Sequence, residues 1–85
     1  MHYVYMIKSL GNDWFYVGSA GDVQKRLKQH NAGEVRSAKF RAPFKLVYVE
    51  EHSTAFIARA REKELKTNRC KKDDIIKKLA LSSNG

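Results

Sequence analysis

The chain has 85 residues, which is enough for one hydrophobic core and excludes a second domain. Its 42% hydrophobic and 11% aromatic residues are typical of a folded protein and exclude a disordered one. Seventeen Lys and Arg against nine Asp and Glu give a net charge of +8, which favours polyanionic partners, nucleic acid first.

Cysteine usage and hydropathy indicate the compartment. The single Cys70 excludes an internal disulfide and favours a reducing, intracellular environment, and three scattered histidines with one cysteine do not form a zinc site. No apolar stretch is long enough for a membrane span or a secretory signal. We therefore expect a soluble, cytoplasmic protein.

The first elements in the chain are two predicted strands. Residues 2–8 and 14–18 are dense in Tyr, Val, Ile, Trp and Phe, and residues 9–13 have the composition of a hairpin turn. Alternation along a strand puts Tyr3, Tyr5 and Ile7 on one face of the first strand, and Trp14, Tyr16 and Gly18 on one face of the second. The tyrosines can therefore share a face.

A short amphipathic helix is predicted next. It runs from Asp22, which suits the N-cap, to His30, and Gly33 lies shortly past its end. Residues 34–44 form a basic loop, and Leu46–Val49 is predicted to be the third strand.

Two further helices are predicted in the remaining chain. Ser53 or Thr54 caps the second helix, which runs to about Lys66. Asp73 and Asp74 suit the start of a third helix, where the helix dipole favours negative charge. The order strand, strand, helix, strand, helix, helix predicts an α+β domain over residues 1–81, with residues 82–85 as a flexible tail.

Two polar residues of the first predicted helix are candidates for chemistry. Arg26 and His30 are four residues apart and lie close to the apolar stripe of Val23 and Leu27, so they face the sheet. The alternative is a solvated arginine and a core histidine that is hydrogen-bonded to the backbone, and spacing alone favours this alternative.

A carboxylate interrupts the apolar face of the second predicted helix. Glu62 falls at helical spacing with Ala55, Ala58 and Leu65. A carboxylate on such a face needs an ion pair, a metal or the rim of a cleft, because an isolated buried charge is costly. The simplest interpretation is an ion pair with Arg59 or with Lys66 at i+4.

Other patterns are weaker. Tyrosines in strands usually serve packing and cross-strand contact. The segment Gly18-Ser19-Ala20-Gly21 is similar to the GxxG clamp of KH-type RNA-binding domains, although two glycines between a strand and a helix more often belong to a turn. The element order does not fit the KH fold.

Taken together, the motifs resemble the GIY-YIG nuclease family, specifically small standalone members related to the nuclease domain of the excision-repair endonuclease C subunit. The resemblance extends from Tyr3 to about Leu79. It rests on an ordered set: Tyr3-Val4-Tyr5, Tyr16-Val17-Gly18-Ser19, Asp22, Arg26-Leu27, His30-Asn31-Ala32-Gly33, Leu46-Val47-Tyr48 with Glu50, Ala60-Arg61-Glu62 and Leu65-Lys66.

The resemblance implies a three-stranded antiparallel sheet flanked by three helices, and a site with assigned roles. Tyr5 and Tyr16 are then the paired motif tyrosines, Arg26 is the catalytic arginine, His30 lies one helical turn later, and Glu62 is the metal-binding carboxylate. It implies a metal-dependent DNA endonuclease that uses a single Mg²⁺ or Mn²⁺, with a role in DNA repair or processing.

Three positions depart from the family pattern. Tyr3 stands where the family name has glycine, and Ser19 stands where some relatives carry a lysine. Asn68 is the only candidate for an asparagine that many relatives place beyond the glutamate, and its spacing from Glu62 is short.

Two hypotheses of different class remain open. The first is the endonuclease acting on DNA, including branched or damaged DNA, and the second is a non-catalytic nucleic-acid-binding module or accessory subunit with the same fold. In either case basic side chains would contact backbone phosphates, and the candidates are Lys25, Lys28, Arg36, Lys39, Arg41 and Lys45. Ordinary surface charge explains them equally well.

Overall fold

The computed structural model describes residues 1–11, 13–36 and 39–82. Three strands and three helices follow in the order β1 His2–Ser9, β2 Phe15–Ala20, α1 Val23–Asn31, β3 Phe44–His52, α2 Ala55–Thr67 and α3 Arg69–Ser82, with a 3-10 turn at Lys39–Arg41 before β3. This order confirms the predicted β-β-α-β-α-α arrangement.

The three strands form one antiparallel sheet in the order β2-β1-β3, so β1 is central and the other two strands are its edges. Tyr5 on β1 lies opposite Gly18 on β2 and opposite Val49 on β3. The β1–β3 register shifts between Met6 and Ile7. Because partners in a ladder share a face, the register fixes which side chains meet on each side of the sheet.

Helices cover both faces of the sheet, and each face has its own apolar cluster. On one face α1 covers Tyr5 and Ile7 with Trp14, Tyr16 and Phe44, which confirms that the motif tyrosines share a face. On the other face α2 and α3 cover a second set of residues. This set comprises Val4, Met6, Val17, Ala58, Leu65 and Ile75.

Local capping explains where the helices begin. Asp22 caps α1 by accepting a hydrogen bond from the Lys25 N–H at 3.0 Å, as predicted. Of the two candidates for α2 it is Thr54 that caps, accepting from the Ile57 N–H at 3.2 Å. Gly33, just past α1, has a φ of 78°, a conformation that glycine adopts without steric cost.

The third helix begins earlier than its acidic residues predict. Asn68 accepts from the Lys71 N–H at 3.3 Å, so α3 begins at Arg69, and Asp73 and Asp74 fall in its second turn. The expectation that these carboxylates mark the helix start was wrong because the side-chain amide of Asn68 supplies the cap. Helix α3 also includes Ser82, and residues 83–85 of the expected tail lie outside the described residues.

The third strand is longer than the predicted Leu46–Val49. Its ladder with β1 runs from Phe44 opposite Ser9 to His52 opposite His2. Polar residues extend the strand where a purely apolar pattern would end it, because β3 is an outer strand and its last residues are exposed or only partly buried.

A polar network joins β3 to α2. The Glu50 carboxylate accepts hydrogen bonds from Arg61 at 3.0–3.3 Å and from the Tyr48 hydroxyl, and it lies 3.0 Å from His52 Nε2. Burial raises the pKa of Glu50, but the bonds from Arg61, Tyr48 and His52 outweigh it and lower the pKa to about 2. The carboxylate is therefore ionised in the folded protein and helps to fix α2 on the sheet.

None of the described helices is long and apolar enough to cross a membrane.

Candidate active site

The hydroxyl of Tyr5 reaches from the central strand across its neighbour β2. A Cβ placed on Gly18 would lie 2.5 Å from Tyr5 Oη and 2.6 Å from Tyr5 Cζ, closer than any real Cβ contact. The glycine of the second motif therefore leaves room for the phenol ring. This close approach lets a residue of the buried central strand act at the edge of the sheet.

His30 lies at the end of the Tyr5 side chain. Both residues are buried, and Tyr5 Oη is 2.9 Å from His30 Nε2. Burial, together with the charge of Arg26, lowers the pKa of His30 to about 4. At neutral pH the imidazole is therefore uncharged, and its Nδ1 is buried with no hydrogen-bond partner among the described residues. The predicted core histidine is confirmed in its burial, but its partner is a phenol rather than the backbone.

Arg26 lies one helical turn before His30 and faces the same phenol. Burial raises the pKa of Tyr5 to about 12, although hydrogen bonding and charge from Arg26 act in the opposite direction. Negative charge on Tyr16 and on Glu62 also raises this pKa. The Nη1 of Arg26 donates to the Gln29 side chain at 2.9 Å, which orients the guanidinium along α1.

Tyr16 lies on β2 at the outer side of the same group. Its ring centroid is 4.8 Å from that of His30 and 5.9 Å from that of Trp14, and its side chain is only partly buried. The ammonium of Lys66 on α2 lies 5.3 Å from the centre of the Tyr16 ring, within cation–π distance. Tyr16 is thus the motif tyrosine that solvent can reach.

Glu62 is held on both sides of its carboxylate. Ser19 Oγ donates to Oε1 at 2.6 Å, and Lys66 Nζ lies 2.7 Å from Oε2. Burial raises the pKa of Glu62, but the bonds from Lys66 and Ser19 outweigh it and the pKa is lowered. The ion pair with Lys66, one of the two predicted alternatives, is confirmed, and Arg59 acts only through its charge.

The site has two halves, which lie on opposite faces of the sheet and meet at the edge of β2. One half comprises the tyrosines with Arg26 and His30, and the other comprises Glu62 with Ser19 and Lys66. Gly18 lies opposite Tyr5 and faces α1, whereas the next residue, Ser19, lies opposite Val4 and faces α2. The Lys66 side chain connects the halves because it contacts both Glu62 and the Tyr16 ring. All five predicted site residues therefore surround one strand edge.

The donor set at Glu62 suits a single hard cation. No group of three or more His, Cys, Asp or Glu side chains that could hold a metal occurs among the described residues. One carboxylate with a neighbouring hydroxyl offers oxygen ligands of the kind that Mg²⁺ and Mn²⁺ accept while they keep several waters. The Lys66 ammonium shows that a positive charge is accommodated at this carboxylate.

The predicted phosphate-contacting side chains that the structure describes do not all lie on one face of the sheet. Lys25 and Lys28 are exposed on α1, and Arg36 is exposed after it. Lys45 lies opposite Lys8, on the face of the sheet away from Tyr5. The guanidinium of Arg41 is 4.7 Å from the centre of the Trp14 ring, and the Lys39 side chain lies outside the described residues.

Lys66 has a place in the site that sequence analysis missed. Its spacing from Glu62 predicted the ion pair but not the contact with Tyr16, which depends on how α2 lies on β2. Ser19 and Lys66 contact the two different oxygens of the Glu62 carboxylate. Asn68 is engaged in capping α3.

A small three-stranded sheet that gathers two tyrosines, an arginine and a carboxylate at one strand edge has the arrangement of a nuclease domain. The chain matches the GIY-YIG catalytic domain over residues 1–73, and it belongs to that family. It therefore carries a nuclease-family domain.

Its relatives are small proteins of the same family. A UPF0213 protein of Staphylococcus aureus is 41% identical over 78 residues, covering 89% of this chain and 94% of that protein. A UPF0213 protein of Haloquadratum walsbyi is 37% identical over 67 residues, covering 78% and 74%. The solution NMR structure of a UPF0213 protein from Bacillus halodurans has a TM-score of 0.55 and 31% identity over 89% of this chain and 82% of that chain.

Proposed function

We propose that this protein is a metal-dependent endonuclease that hydrolyses phosphodiester bonds in DNA during repair or processing. The observation that carries the proposal is the meeting of two unlike groups at the edge of β2. A carboxylate held by Ser19 and Lys66 lies on one side, and two tyrosines with Arg26 lie on the other. Phosphoryl transfer needs this combination of cationic and proton-accepting groups.

Arg26 is the group that stabilises charge on the phosphoryl oxygens. It lies on α1 beside the exposed Lys25, so a phosphate that reaches it passes exposed positive charge. A guanidinium is always charged and binds phosphate oxygens through two parallel hydrogen bonds. Its alignment by Gln29 reduces the reorganisation needed when charge develops.

The two tyrosines have different roles in this proposal. Tyr5 is buried, hydrogen-bonded to His30 and has a pKa of about 12, so it stays protonated and positions its neighbours. Tyr16 is partly exposed and has Lys66 beside its ring. A phenol is a weak base at neutral pH and needs adjacent cations to take a proton from water. Tyr16 is therefore the proton acceptor.

Glu62 is the residue that would hold the divalent cation, with Ser19 beside it. When bound, Mg²⁺ or Mn²⁺ supplies Lewis-acid stabilisation of charge on the departing oxygen. The lowered pKa of Glu62 keeps the carboxylate ionised and ready to bind a cation at neutral pH. The Lys66 ammonium, at 2.7 Å from Oε2, would compete with a divalent cation for this carboxylate.

The alternative, a DNA-binding module without catalysis, makes poor use of these residues. A binder needs cations, and a carboxylate at the rim repels phosphate. Glu62 is 21% exposed and is oriented by two hydrogen bonds, so the fold keeps it ionised at the edge where DNA would approach. A binding module gains nothing from that arrangement.

Cleavage assays on supercoiled, branched and single-stranded DNA with Mg²⁺ or Mn²⁺ test the proposal. Glu62→Gln and Arg26→Ala should each lower the cleavage rate by about a hundredfold or more. Tyr16→Phe should do the same, whereas Tyr5→Phe should retain more activity. Lys63→Ala, on the exposed side of α2, is the control. Binding without cleavage by the parent protein would refute the enzyme, and undiminished cleavage by the Glu62 and Arg26 variants would reveal a contaminant.

A further inference from the structure

The turn that precedes β3 presents an aromatic side chain to solvent. Phe40 lies in the 3-10 turn Lys39–Arg41 and is 90% exposed. Single exposed apolar residues are common on protein surfaces, so exposure alone does not indicate a role. Phe40 differs from other exposed apolar residues because its turn is anchored by hydrogen bonds and because basic residues lie next to it in the sequence.

The turn is anchored to two other elements. Ser9 Oγ donates to the Arg41 carbonyl at 2.7 Å, and the Leu10 N–H donates to the Pro43 carbonyl at 2.9 Å, which ties the turn to the end of β1. At its other end Asn31 binds both backbone groups of Phe44, at 2.6 and 3.3 Å. The backbone on the C-terminal side of Phe40 is therefore fixed to β1 and α1.

A row of rings leads from this turn to the candidate active site. The Arg41 guanidinium lies 4.7 Å from the centre of the Trp14 ring. The Trp14 and Tyr16 centroids are 5.9 Å apart, and those of Tyr16 and His30 are 4.8 Å apart. A substrate that contacts the turn therefore lies beside the site as well.

The chain on either side of Phe40 carries only positive charge. The sequence from Val35 to Val49 contains no acidic residue and four basic ones, namely Arg36, Lys39, Arg41 and Lys45. An apolar ring with Lys39 and Arg41 on either side of it in the sequence matches the chemistry of DNA, in which stacked bases lie between phosphates. It suits a protein surface less well, because such a surface would have to bring several carboxylates to the same place.

We propose that Phe40 is a wedge that enters an opened base step of DNA while Arg41 contacts the adjacent phosphate. Unstacking an intact step costs a few kcal/mol, and the cost is least where stacking is already broken. The inference therefore extends the proposed nuclease function to a substrate class, namely DNA with a nick, a mismatch or a branch. The wedge would give such DNA an affinity advantage over intact duplex.

Binding measured in EDTA tests the wedge without cleavage. A short duplex with 2-aminopurine beside a mismatch should bind to the parent protein with a change in fluorescence, since its stacking changes. Phe40→Ala should weaken this binding roughly fivefold or more, because base–aromatic stacking is worth about 1–3 kcal/mol. Its effect on intact duplex should stay below about twofold, and Phe40→Trp should keep the preference.

Phe56 provides the matched control, since it is 82% exposed but has no charged residue within two positions in the sequence. Phe56→Ala should leave both affinities unchanged. If a folded Phe40→Ala variant lost equal affinity for the mismatched and the intact duplex, or lost no affinity for either, the wedge proposal would be overturned. Phe40-dependent binding to anionic vesicles or Phe40-dependent dimerisation, with no mismatch preference, would also overturn it. A mismatch preference without any cleavage would support the wedge while refuting the nuclease.

Discussion

Tyr5 Oη lies only 2.5 Å from the position that a Cβ on Gly18 would occupy. The two residues are partners across β1 and β2, so the glycine acts by leaving space for the phenol. Through this space the Tyr5 hydroxyl contacts His30 and comes under the influence of Arg26 and Glu62. The two tyrosine motifs of this chain are thus related by a steric requirement as well as by their tyrosines.

Gly18→Ala should displace the Tyr5 ring and break its hydrogen bond with His30. Overpacking of this kind costs about 1–3 kcal/mol of unfolding free energy, and it should lower the cleavage rate as well. Urea unfolding and plasmid cleavage measure the two effects. Gly11→Ala is the control because a Cβ there meets nothing within 4 Å. Equal behaviour of the two variants would contradict the steric role of Gly18.

His30 should make the protein sensitive to mild acid. The unfolded chain binds a proton on this imidazole at its usual pKa of 6.5, whereas the folded protein binds it only at about 4. Stability is therefore full above pH 6.5 and falls as the pH is lowered through that window, by roughly 3 kcal/mol in all. Urea unfolding at several pH values should show this slope, and His30→Gln should flatten it. An imidazole NMR titration near pH 6.5 would refute the expectation.

The Glu50–Arg61 pair should act at lower pH. The carboxyl has a pKa of about 2 when folded and 4.5 when unfolded, so its contribution is present above pH 4.5 and is lost as the pH falls towards 2. Arg61→Ala should lower stability at pH 7 by about 1–3 kcal/mol and make this acid transition shallower. Asp13→Asn, which removes the fully exposed partner of Lys8, should not change stability measurably. If both variants unfolded alike, the network would not stabilise the fold.

Removing Lys66 should separate metal binding from catalysis. In Lys66→Ala no ammonium competes for Glu62, so Mn²⁺ affinity measured by calorimetry should rise about several-fold. The cleavage rate at saturating metal should fall instead, because Tyr16 loses its neighbouring cation. Lys63→Ala should change neither quantity. A parallel loss of affinity and rate would mean that Lys66 only supports the fold.

Lys25 and Lys28 should contribute to DNA affinity through counterion release. If each neutralises one phosphate, Lys25→Ala and Lys28→Ala should each reduce the slope of log affinity against log salt by about 0.9. Fluorescence anisotropy on intact duplex over a range of salt concentrations measures it. Lys77→Ala, exposed on α3, should leave the slope unchanged; a similar decrease there would indicate diffuse charge rather than a binding surface.

The element order could be predicted because apolar spacing and caps are local signals. Asp22 and Thr54 lie where a helix start is expected, and each accepts the predicted hydrogen bond. The early start of α3 was missed because Asn68 served equally well as a loop residue or a cap. The length of β3 was missed because its polar end is specified by pairing with β1, which is not a local property.

The site could be predicted less fully than the fold. The identities of Tyr5, Tyr16, Arg26, His30 and Glu62 followed from a family resemblance, and the structure brings them together at one edge. Spacing along a helix could not indicate that Lys66 also contacts a ring on β2, because the reach of a long side chain depends on tertiary packing. The contact of Arg41 with Trp14 depends in the same way on two segments far apart in sequence.

Strand β2 is an outer strand of the sheet, and outer strands invite pairing with strands of other molecules. Lys72 of α3 donates to the Phe15 carbonyl at 3.2 Å, and Lys66 of α2 lies over the next residue, Tyr16. A second copy could add a strand at Phe15 and Tyr16 only by displacing or burying two ammonium groups. The same lysines attract phosphate, so the edge proposed to carry the chemistry disfavours pairing with a second copy and favours a polyanion.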